Sequence, residues 1–259
     1  MSVDLSVESG LAEIVLNRPD QMNALNDAMA AELDGCLERA ASQGVRAMMI
    51  RGEGPAFSVG RDLAEAEAGI EDIDAIIENT FNPLIKRIVA FPAPTFAAVH
   101  GACLGVGLGL ALACDVVYAA DDNDTKIGSP FARIGAVLDS GGHSFFVSCL
   151  GTHRALELIY TGRLLSGAEA AQLGLVNRSV AKESLVAETR KLAAQVALGP
   201  TAAFMQSKHL VRRIDEEAMG LFAVMKCEAQ AQGAAGRTAD YKEGIAAFQQ
   251  KRAPRFRGK

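Results

Sequence analysis

The stretch from position 101 to 115, GACLGVGLGLALACD, most constrains the fold, because its glycines precede and interrupt an apolar run. Glycine costs roughly 1 kcal/mol relative to alanine inside a helix, so four of them at the start of an apolar helix need a reason. The preceding PTFAAVHG has the pattern of a buried strand. The stretch therefore predicts a strand-to-helix turn whose backbone N–H groups can be approached closely by an anion or a developing oxyanion.

A dinucleotide site is the other common reason for glycines between a strand and a helix. Gly105 and Gly107 fit the first two glycines of G-x-G-x-x-G, but Leu110 occupies the third position. The stretch also lies far from the first strand of the chain. The pattern therefore disfavours a dinucleotide-binding site and leaves the anion site as the prediction.

Hydrophobic periodicity predicts an α/β core followed by a helical segment. LAEIVLNR alternates as a strand does, and apolar residues recur every four positions from 23 to 43, which indicates a helix capped by Asn26. VRAMMIRGEG, PTFAAVHG, DVVYAAD and TKIG predict further strands. Ser166 and Glu169 have the spacing of a capping box, and later helices are predicted at 183–197, 201–214, 216–232 and 238–251. We expect a core over residues 1–198 and a helical segment over 199–259.

Composition and charge exclude several classes of protein. The 259 residues are 49% hydrophobic and carry a net charge of -5 without blocks of like charge, which argues against nucleic acid or an anionic membrane as a partner. Five cysteines without C-x-x-C spacing predict reduced thiols that are buried as small apolar side chains. The first residues lack the pattern of a secretory signal, so we expect a cytoplasmic protein.

A second glycine turn is predicted in GEGPAFSVGRDL, at positions 52–63. A strand is expected to end there and a helix to begin, with Asp62 as a possible cap. Ser58 is not the serine of a nucleophile elbow, because Ala56 replaces the first glycine of G-x-S-x-G. The segment is therefore either a plain strand-to-helix turn or a second source of free backbone N–H groups.

The segment RIGAVLDSGGHSFFVSCLG, at positions 133–151, contains one carboxylate in apolar surroundings. Asp139 precedes Ser140 and two glycines, and it has two interpretations. It could cap the following helix, or it could be a carboxyl whose pKa is raised by burial and which transfers a proton. His143 is a weaker candidate for the same chemistry and is expected to pack on the helix.

Five motifs occur in order along nearly the whole chain: NRPDQMNAL, GPAFSVGRDL, PTFAAVHGACLGVGLGLALACDVVYAA, YTGRLLSGAEAAQLGLVN and ADYKEGIAAFQQKRAPRF. By these motifs the chain resembles the crotonase family, also called the enoyl-CoA hydratase/isomerase family. The resemblance implies an α/β fold with a repeated ββα spiral core and an α-helical C-terminal segment used in trimerisation. It also implies acyl-CoA thioester substrates, no metal, no cofactor beyond the coenzyme A of the substrate, and a homotrimer or a dimer of trimers.

The resemblance also assigns roles to residues. It implies that the backbone N–H groups of Arg61 and Val106 stabilise a thioester enolate. Coenzyme A contacts are implied at these positions: Gln21, Met22, Gly60, Asp62, Leu63 and Gly107. Asp20 and Ala64 replace lysines that often meet the phosphates. Phe248 and Lys251 would contribute from a neighbouring subunit, although a solvated helix end explains them as well.

Departures from the family pattern direct the prediction of activity. Gly109 and Phe131 occupy the positions of the two glutamates with which family hydratases add water. Asp139 stands where several isomerases carry an aspartate, and its context resembles members that isomerise 1,2-epoxyphenylacetyl-CoA or enoyl-CoA double bonds. We therefore expect an acyl-CoA isomerase. The alternatives are an enoyl-CoA hydratase in which Asp139 and water replace the glutamates, and a non-catalytic acyl-CoA-binding or assembly subunit.

Overall fold

The computed structural model describes residues 1–64 and 70–259. The strands are β1 Val3–Glu8, β2 Leu11–Leu16, β3 Ala47–Gly52, β4 Thr95–Val99, β5 Ala102–Leu104, β6 Val116–Ala120, β7 Lys126–Gly128 and β8 Arg178–Val180. The helices are α1 Asp27–Ser42, α2 Ile73–Ile76, α3 Asn82–Val89, α4 Val106–Leu112, α5 Gly142–Leu150, α6 Thr152–Thr161, α7 Gly167–Leu173, α8 Lys182–Ala197, α9 Thr201–Glu216, α10 Leu221–Gly236 and α11 Ala239–Gln249. A π-helical turn, Ile77–Phe81, joins α2 to α3.

Six strands form the main sheet in the order β1-β2-β3-β4-β6-β8. Strands β2, β3, β4, β6 and β8 run parallel, whereas β1 pairs with β2 as an antiparallel edge strand. The alternation predicted in β2 is confirmed, since Ala12, Ile14 and Leu16 are buried in the main core with α1. On the other face of the sheet, Met49 and Phe96 pack with residues of α8. Helices therefore cover both faces, as parallel strands require.

The shorter strands β5 and β7 form a separate parallel pair that carries the glycine-rich turn. β5 is tied to the segment after β3 by a bridge between Ser58 and Cys103. The Ser58 N–H donates to the Ala102 carbonyl at 3.0 Å, and the Leu104 N–H donates to the Ser58 carbonyl at 2.9 Å. These bonds bring the two predicted glycine turns side by side.

The helical segment α9–α11 is fastened to the core by buried charge. The Lys208 ammonium of α9 lies 2.9 Å from the Asp115 carboxylate and 3.3 Å from the carbonyl oxygens of Phe91 and Ala93. At the C-terminus, Asp240 is buried and accepts hydrogen bonds from the backbone N–H groups of residues 257 and 258. The predicted division into 1–198 and 199–259 stays a prediction.

The helix caps predicted from short sequence motifs are confirmed. The Asn26 cap of α1 is confirmed by a 3.0 Å bond from the Met29 N–H, and the capping box of Ser166 and Glu169 is present on α7. The described part of the chain contains no helix with the length and apolar character needed to cross a membrane.

Four predictions need correction. α10 begins at Leu221 rather than at 216, because α9 continues to Glu216 and Gly220 occupies the N-cap of α10. Residues 61–64 are not helical, and the rest of the helix expected after them falls partly on 65–69, outside the described residues. Strands β1, β5 and β8 were not predicted. Cys149 is exposed and Cys227 is partly exposed, so only three of the cysteines are buried.

Candidate active site

Two backbone turns approach each other closely at the edge of the two-stranded sheet formed by β5 and β7. They are Gly60–Arg61 and Gly105–Val106, which together we call the donor region. A Cβ added at Gly60, whose φ is +91°, would lie 2.7 Å from the Leu104 carbonyl oxygen and 3.2 Å from the Val106 nitrogen. Only glycine allows this contact, because real Cβ atoms do not approach main-chain oxygen so closely and the positive φ strains other residues. Glycine at position 60 is therefore required by the close packing of two backbone segments. The predicted approach of an anion to these turns stays a prediction.

The N–H groups of Arg61 and Val106 donate no hydrogen bond within the described part of the chain. Leu25 N–H donates to the Gly60 carbonyl and Asp62 N–H donates to the Leu25 carbonyl, so the main chain on both sides of Arg61 is engaged. Neither the Arg61 N–H nor the Val106 N–H has an acceptor within residues 1–64 and 70–259. Free donors beside each other can hold an oxygen that becomes negative during a reaction.

A buried polar network fixes the position of Gly60. The Ser58 hydroxyl accepts from the Gly60 N–H at 3.1 Å and donates to the Asn23 carbonyl at 2.8 Å. The Asn23 carboxamide in turn binds the backbone of residues 18, 53 and 56. Ser58 is thus a structural residue, in agreement with the prediction that it is not a nucleophile.

The predicted coenzyme A residues lie along one edge of the donor region. The loop at 21–25 runs beside the segment at 59–62, with Val59 N–H donating to the Met22 carbonyl. Gln21, Met22 and Leu63 are exposed there. The Asp62 carboxylate accepts from the Ala64 N–H and pairs with Arg18 at 3.1 Å. The structure brings these positions together, and their role in binding stays a prediction.

Gly107 also lies in this region and is pressed against Ser58. A Cβ at Gly107 would lie 2.6 Å from the Ser58 carbonyl oxygen and 2.7 Å from the Ser58 Cβ. The position has no room for a side chain. Its contribution to the site is therefore the close packing of α4 on the Ser58 segment.

Asp139 is a half-buried carboxyl with a perturbed pKa. Burial raises the pKa of this carboxyl above its ordinary value, while the Ser140 hydroxyl and the charges of Arg61 and His143 act in the opposite direction. The Arg61 guanidinium is itself held by Glu71 at 2.6 Å. A carboxyl whose pKa is raised by burial has a property needed for proton transfer at neutral pH.

The alternative interpretation of Asp139 as a helix cap is wrong. The N-cap of α5 is Gly141, with no side-chain cap. The backbone carbonyl of Asp139 instead accepts from the Gly142 N–H at 2.8 Å. Ser140 and Gly141 have φ of +54° and +79°, the signature of a type I′ turn. We call Asp139–Gly142 the carboxylate turn. His143 is exposed at the start of α5, so its expected packing is also incorrect.

The two positions that lack glutamate are occupied by other contacts. A Cβ at Gly109 would lie 2.6 Å from both the Cβ and the carbonyl oxygen of Ser140. A Cβ at Gly105 would lie 3.1 Å from the Phe131 ring. Ser140 thus packs on α4 one turn after Val106, and an aromatic ring lies on the turn that carries the Val106 N–H.

Phe248 and Lys251 lie at the exposed end of α11. The Phe248 side chain is 84% exposed, and Lys251 is exposed. Their expected position in a neighbouring subunit's site stays a prediction.

Sequence reasoning overlooked Ser140 and Asn23. Ser140 is 2% exposed and donates to Asp139 Oδ1 at 2.9 Å. The left-handed backbone conformation of Ser140 costs about 1 to 3 kcal/mol for a residue other than glycine. This strain is visible only in the tertiary structure. Asn23 also has a positive φ, and its position after NRPDQM could have suggested a turn.

The described residues contain no group of three or more histidine, cysteine or acidic side chains arranged to hold a metal ion.

The chain matches the family model described as "Enoyl-CoA hydratase/isomerase" over residues 6–259. It is 33% identical to the 1,2-epoxyphenylacetyl-CoA isomerase of Escherichia coli over 258 residues, which cover 98% of this chain and 97% of that protein. It is 37% identical to the human mitochondrial enoyl-CoA hydratase domain-containing protein 2 over 260 residues, which cover 97% of this chain and 87% of that protein.

Solved structures agree in fold. An enoyl-CoA hydratase from Bacillus anthracis superimposes with a TM-score of 0.91 at 28% identity, with full coverage of both chains. One from Mycobacterium smegmatis gives a TM-score of 0.89 at 28% identity, with 99% of each chain covered. The predicted crotonase fold, α/β with C-terminal helices, is thereby confirmed.

Proposed function

The chain belongs to the enoyl-CoA hydratase/isomerase family, and from this premise we propose that it is an acyl-CoA isomerase in which Asp139 moves a proton. Its substrate would be an enoyl-CoA or the ring-epoxide 1,2-epoxyphenylacetyl-CoA. The observation that carries the proposal is a carboxyl of raised pKa, held by Ser140 against the helix of the donor region.

The proposed reaction begins at the carbon next to the thioester. The Asp139 carboxylate removes a proton from this carbon, and the electron pair moves onto the thioester oxygen as an enolate. The N–H groups of Arg61 and Val106 donate to this oxygen, whose negative charge appears only in the course of the reaction. Asp139 then returns the proton two carbons further along the chain, so the double bond shifts and atoms are conserved.

The surroundings favour isomerisation over the addition of water. Two carboxylates would be needed to activate and deliver water in the manner of family hydratases. The Cβ and carbonyl oxygen of Ser140 pack against Gly109, and the Phe131 ring packs near Gly105, so neither of these positions supplies a carboxylate. An apolar surface beside the enolate also limits the access of water. The alternative, hydration by Asp139 and a bound water, needs only one carboxylate and is tested below.

The test is to incubate the protein with 3-enoyl-CoA and with 2-enoyl-CoA in deuterated water. We expect 2-enoyl-CoA from 3-enoyl-CoA, as measured by mass spectrometry. Deuterium should enter the acyl chain to the extent that the proton on Asp139 exchanges with solvent before it is returned. Asp139→Asn should lower the rate about 10² to 10⁴-fold, the usual contribution of a general acid–base. Formation of 3-hydroxyacyl-CoA would support the hydratase, and binding without turnover would support the non-catalytic alternative.

The proposal extends to the assembly. Large apolar side chains are exposed on the helices of the C-terminal segment: Val211, Leu221, Phe222, Met225, Ile245 and Phe248. Residues 199–259 would bury this surface between copies of the chain, as a homotrimer or a dimer of trimers. Phe248 and Lys251 would then reach a neighbouring coenzyme A. The molar mass in solution checks this arrangement. The cytoplasm stays the predicted compartment.

A further inference from the structure

The carboxylate turn contains a second polar side chain whose role the proposed reaction has not used. The Ser140 hydroxyl donates to Asp139 Oδ1 at 2.9 Å. Within residues 1–64 and 70–259, no other residue donates a hydrogen bond to Asp139 Oδ2. The two oxygens of one carboxyl are therefore in different environments.

Ser140 cannot easily turn away from Asp139. The residue is 2% exposed and has a φ of +54°, a conformation that glycine adopts without strain. Its Cβ and its carbonyl oxygen both touch the backbone of α4 at Gly109. Packing on one side and the type I′ turn on the other fix the direction of the hydroxyl.

We propose that Ser140 is a positioning residue for Asp139: its hydroxyl holds Oδ1, so that Oδ2 is the oxygen that takes and returns the proton. The inference rests on the proposed function, since it concerns the same proton transfer. Gly109 makes the arrangement sterically possible.

The physical reason is the unequal basicity of the two oxygens. A carboxylate oxygen that accepts a hydrogen bond has less electron density available for a proton than one without a partner. The bond also restrains rotation of the carboxyl group, so Oδ2 keeps one direction between successive turnovers. Such restraint lowers the barrier because little reorganisation is needed before the proton moves.

Gly109 and the carboxylate turn exclude any larger residue at position 109. A side chain there would collide with Ser140 at 2.6 Å, both at Cβ and at the carbonyl oxygen. This turn and a glutamate at position 109 therefore cannot coexist without movement of the backbone. The position of Ser140 against α4 thus requires glycine, and excludes glutamate, at position 109.

The experiment compares Ser140→Ala and Ser140→Gly with the wild-type protein. Alanine removes the hydroxyl and keeps the Cβ on Gly109, whereas glycine also relieves the positive φ, so at least one variant keeps the fold. We expect kcat for the isomerisation to fall about tenfold or more in both, with little change in KM, since hydrogen bonds to charged groups contribute at this scale. Ser144→Ala, an exposed serine of α5, is the matched control and should not change kcat.

The dependence of kcat/KM on pH separates positioning from a merely structural role. The Ser140 hydroxyl lowers the pKa of Asp139, as do the charges of Arg61 and His143 that face it, while burial raises it. Because Asp139 must be ionised to take a proton, loss of the hydroxyl should move the acid limb of the profile to higher pH. Carbon-13 spectra of labelled aspartate, assigned with Asp139→Asn, report the same shift without turnover.

An unchanged acid limb and an unchanged kcat in both Ser140 variants would overturn the inference, provided that Asp139→Asn is inactive. Full activity of Asp139→Asn would instead overturn the proposed role of Asp139 itself. The failure of the inference and the failure of the proposed function are thus distinguishable.

Discussion

The donor region and the carboxylate turn lie against the same helix, α4, but different forces hold them. In the donor region, backbone packs on backbone, and a Cβ at Gly60 would meet main-chain atoms. The side chains of Arg61 and Val106 do not supply the donors. In the carboxylate turn, one side chain supplies the proposed chemistry and one hydroxyl orients it. The donor region should therefore tolerate changes of its donors' side chains but not of its glycines, and the carboxylate turn should respond to side-chain chemistry.

Within the donor region, the largest effect is expected at Gly60. In Gly60→Ala, the new Cβ would push the segment away from Leu104 and Val106, and a positive φ would be strained as well. Misplacing one donor of an oxyanion site costs about 10² to 10³-fold in kcat, which steady-state kinetics with 3-enoyl-CoA would measure.

Gly44→Ala is the matched control for this change. Gly44 also has a positive φ of +64°, but no atom lies within 4 Å of the Cβ position. The Gly44→Ala variant should have a slightly lower free energy of unfolding than wild type and an unchanged kcat. If folded Gly60→Ala kept wild-type activity, close backbone packing at Gly60 would not be what positions the N–H donors. The proposed difference between the donor region and the carboxylate turn would then be contradicted.

A smaller effect is expected on stability at Asp139. Burial raises the folded-state pKa of this carboxyl, so its neutral form is favoured in the folded protein. The corresponding stability is present below the ordinary aspartate pKa and is lost as pH rises through the higher folded-state pKa. Asp139→Asn should therefore raise Tm at pH 7 by a few degrees, since about 1 kcal/mol shifts Tm by about 2 to 4 °C in a chain of this size.

Thermal melts between pH 4 and pH 8 check the sign. The advantage of Asp139→Asn should shrink as pH falls toward the range where free aspartate titrates. A variant that is inactive and more stable at neutral pH would mark the carboxylate turn as a functional feature that costs stability. A lower Tm at pH 7 would show instead that the charged carboxyl stabilises the fold.

The smallest effect is expected for Arg61→Gln. The N–H at this position stays in place, so kcat at the plateau of the pH profile should remain within about threefold of wild type. Loss of the guanidinium removes a charge that lowers the pKa of Asp139, so the acid limb should move to higher pH. Arg61→Lys keeps the charge and should resemble wild type. A hundredfold loss of kcat in Arg61→Gln would mean that the side chain, not the backbone, acts on the substrate.

Elements with local causes could be predicted. α1 follows from an apolar repeat and a cap at Asn26, and α7 follows from a capping box, because these bonds form within one turn of helix. Strand β1 has only three apolar residues, one of which is buried, and depends on pairing with β2. The start of α10 depends on where α9 ends, and the hydrophobic periodicity of the sequence did not predict that end.

The functional site shows the same division. Its glycines, the missing glutamates and Asp139 could all be read from the chain, since they depend on residue type and order. Whether Asp139 caps a helix or faces the site could not, because that depends on the φ values of Ser140 and Gly141 and on contact with Gly109, thirty positions earlier.

The α/β class, the glycine turns and Asp139 as the candidate carboxylate could be predicted from the sequence. These features depend on residue type, periodicity and the order of motifs, which need no knowledge of contacts between distant segments. Only the folded chain shows that the turns at Arg61 and Val106 adjoin each other, with no acceptor for either N–H among the described residues. It also shows that a serine binds one oxygen of Asp139 and occupies the space beside Gly109. The physical reason is that these facts are distances between segments far apart in the chain. Such distances are set by the packing of β5, α4 and the carboxylate turn together.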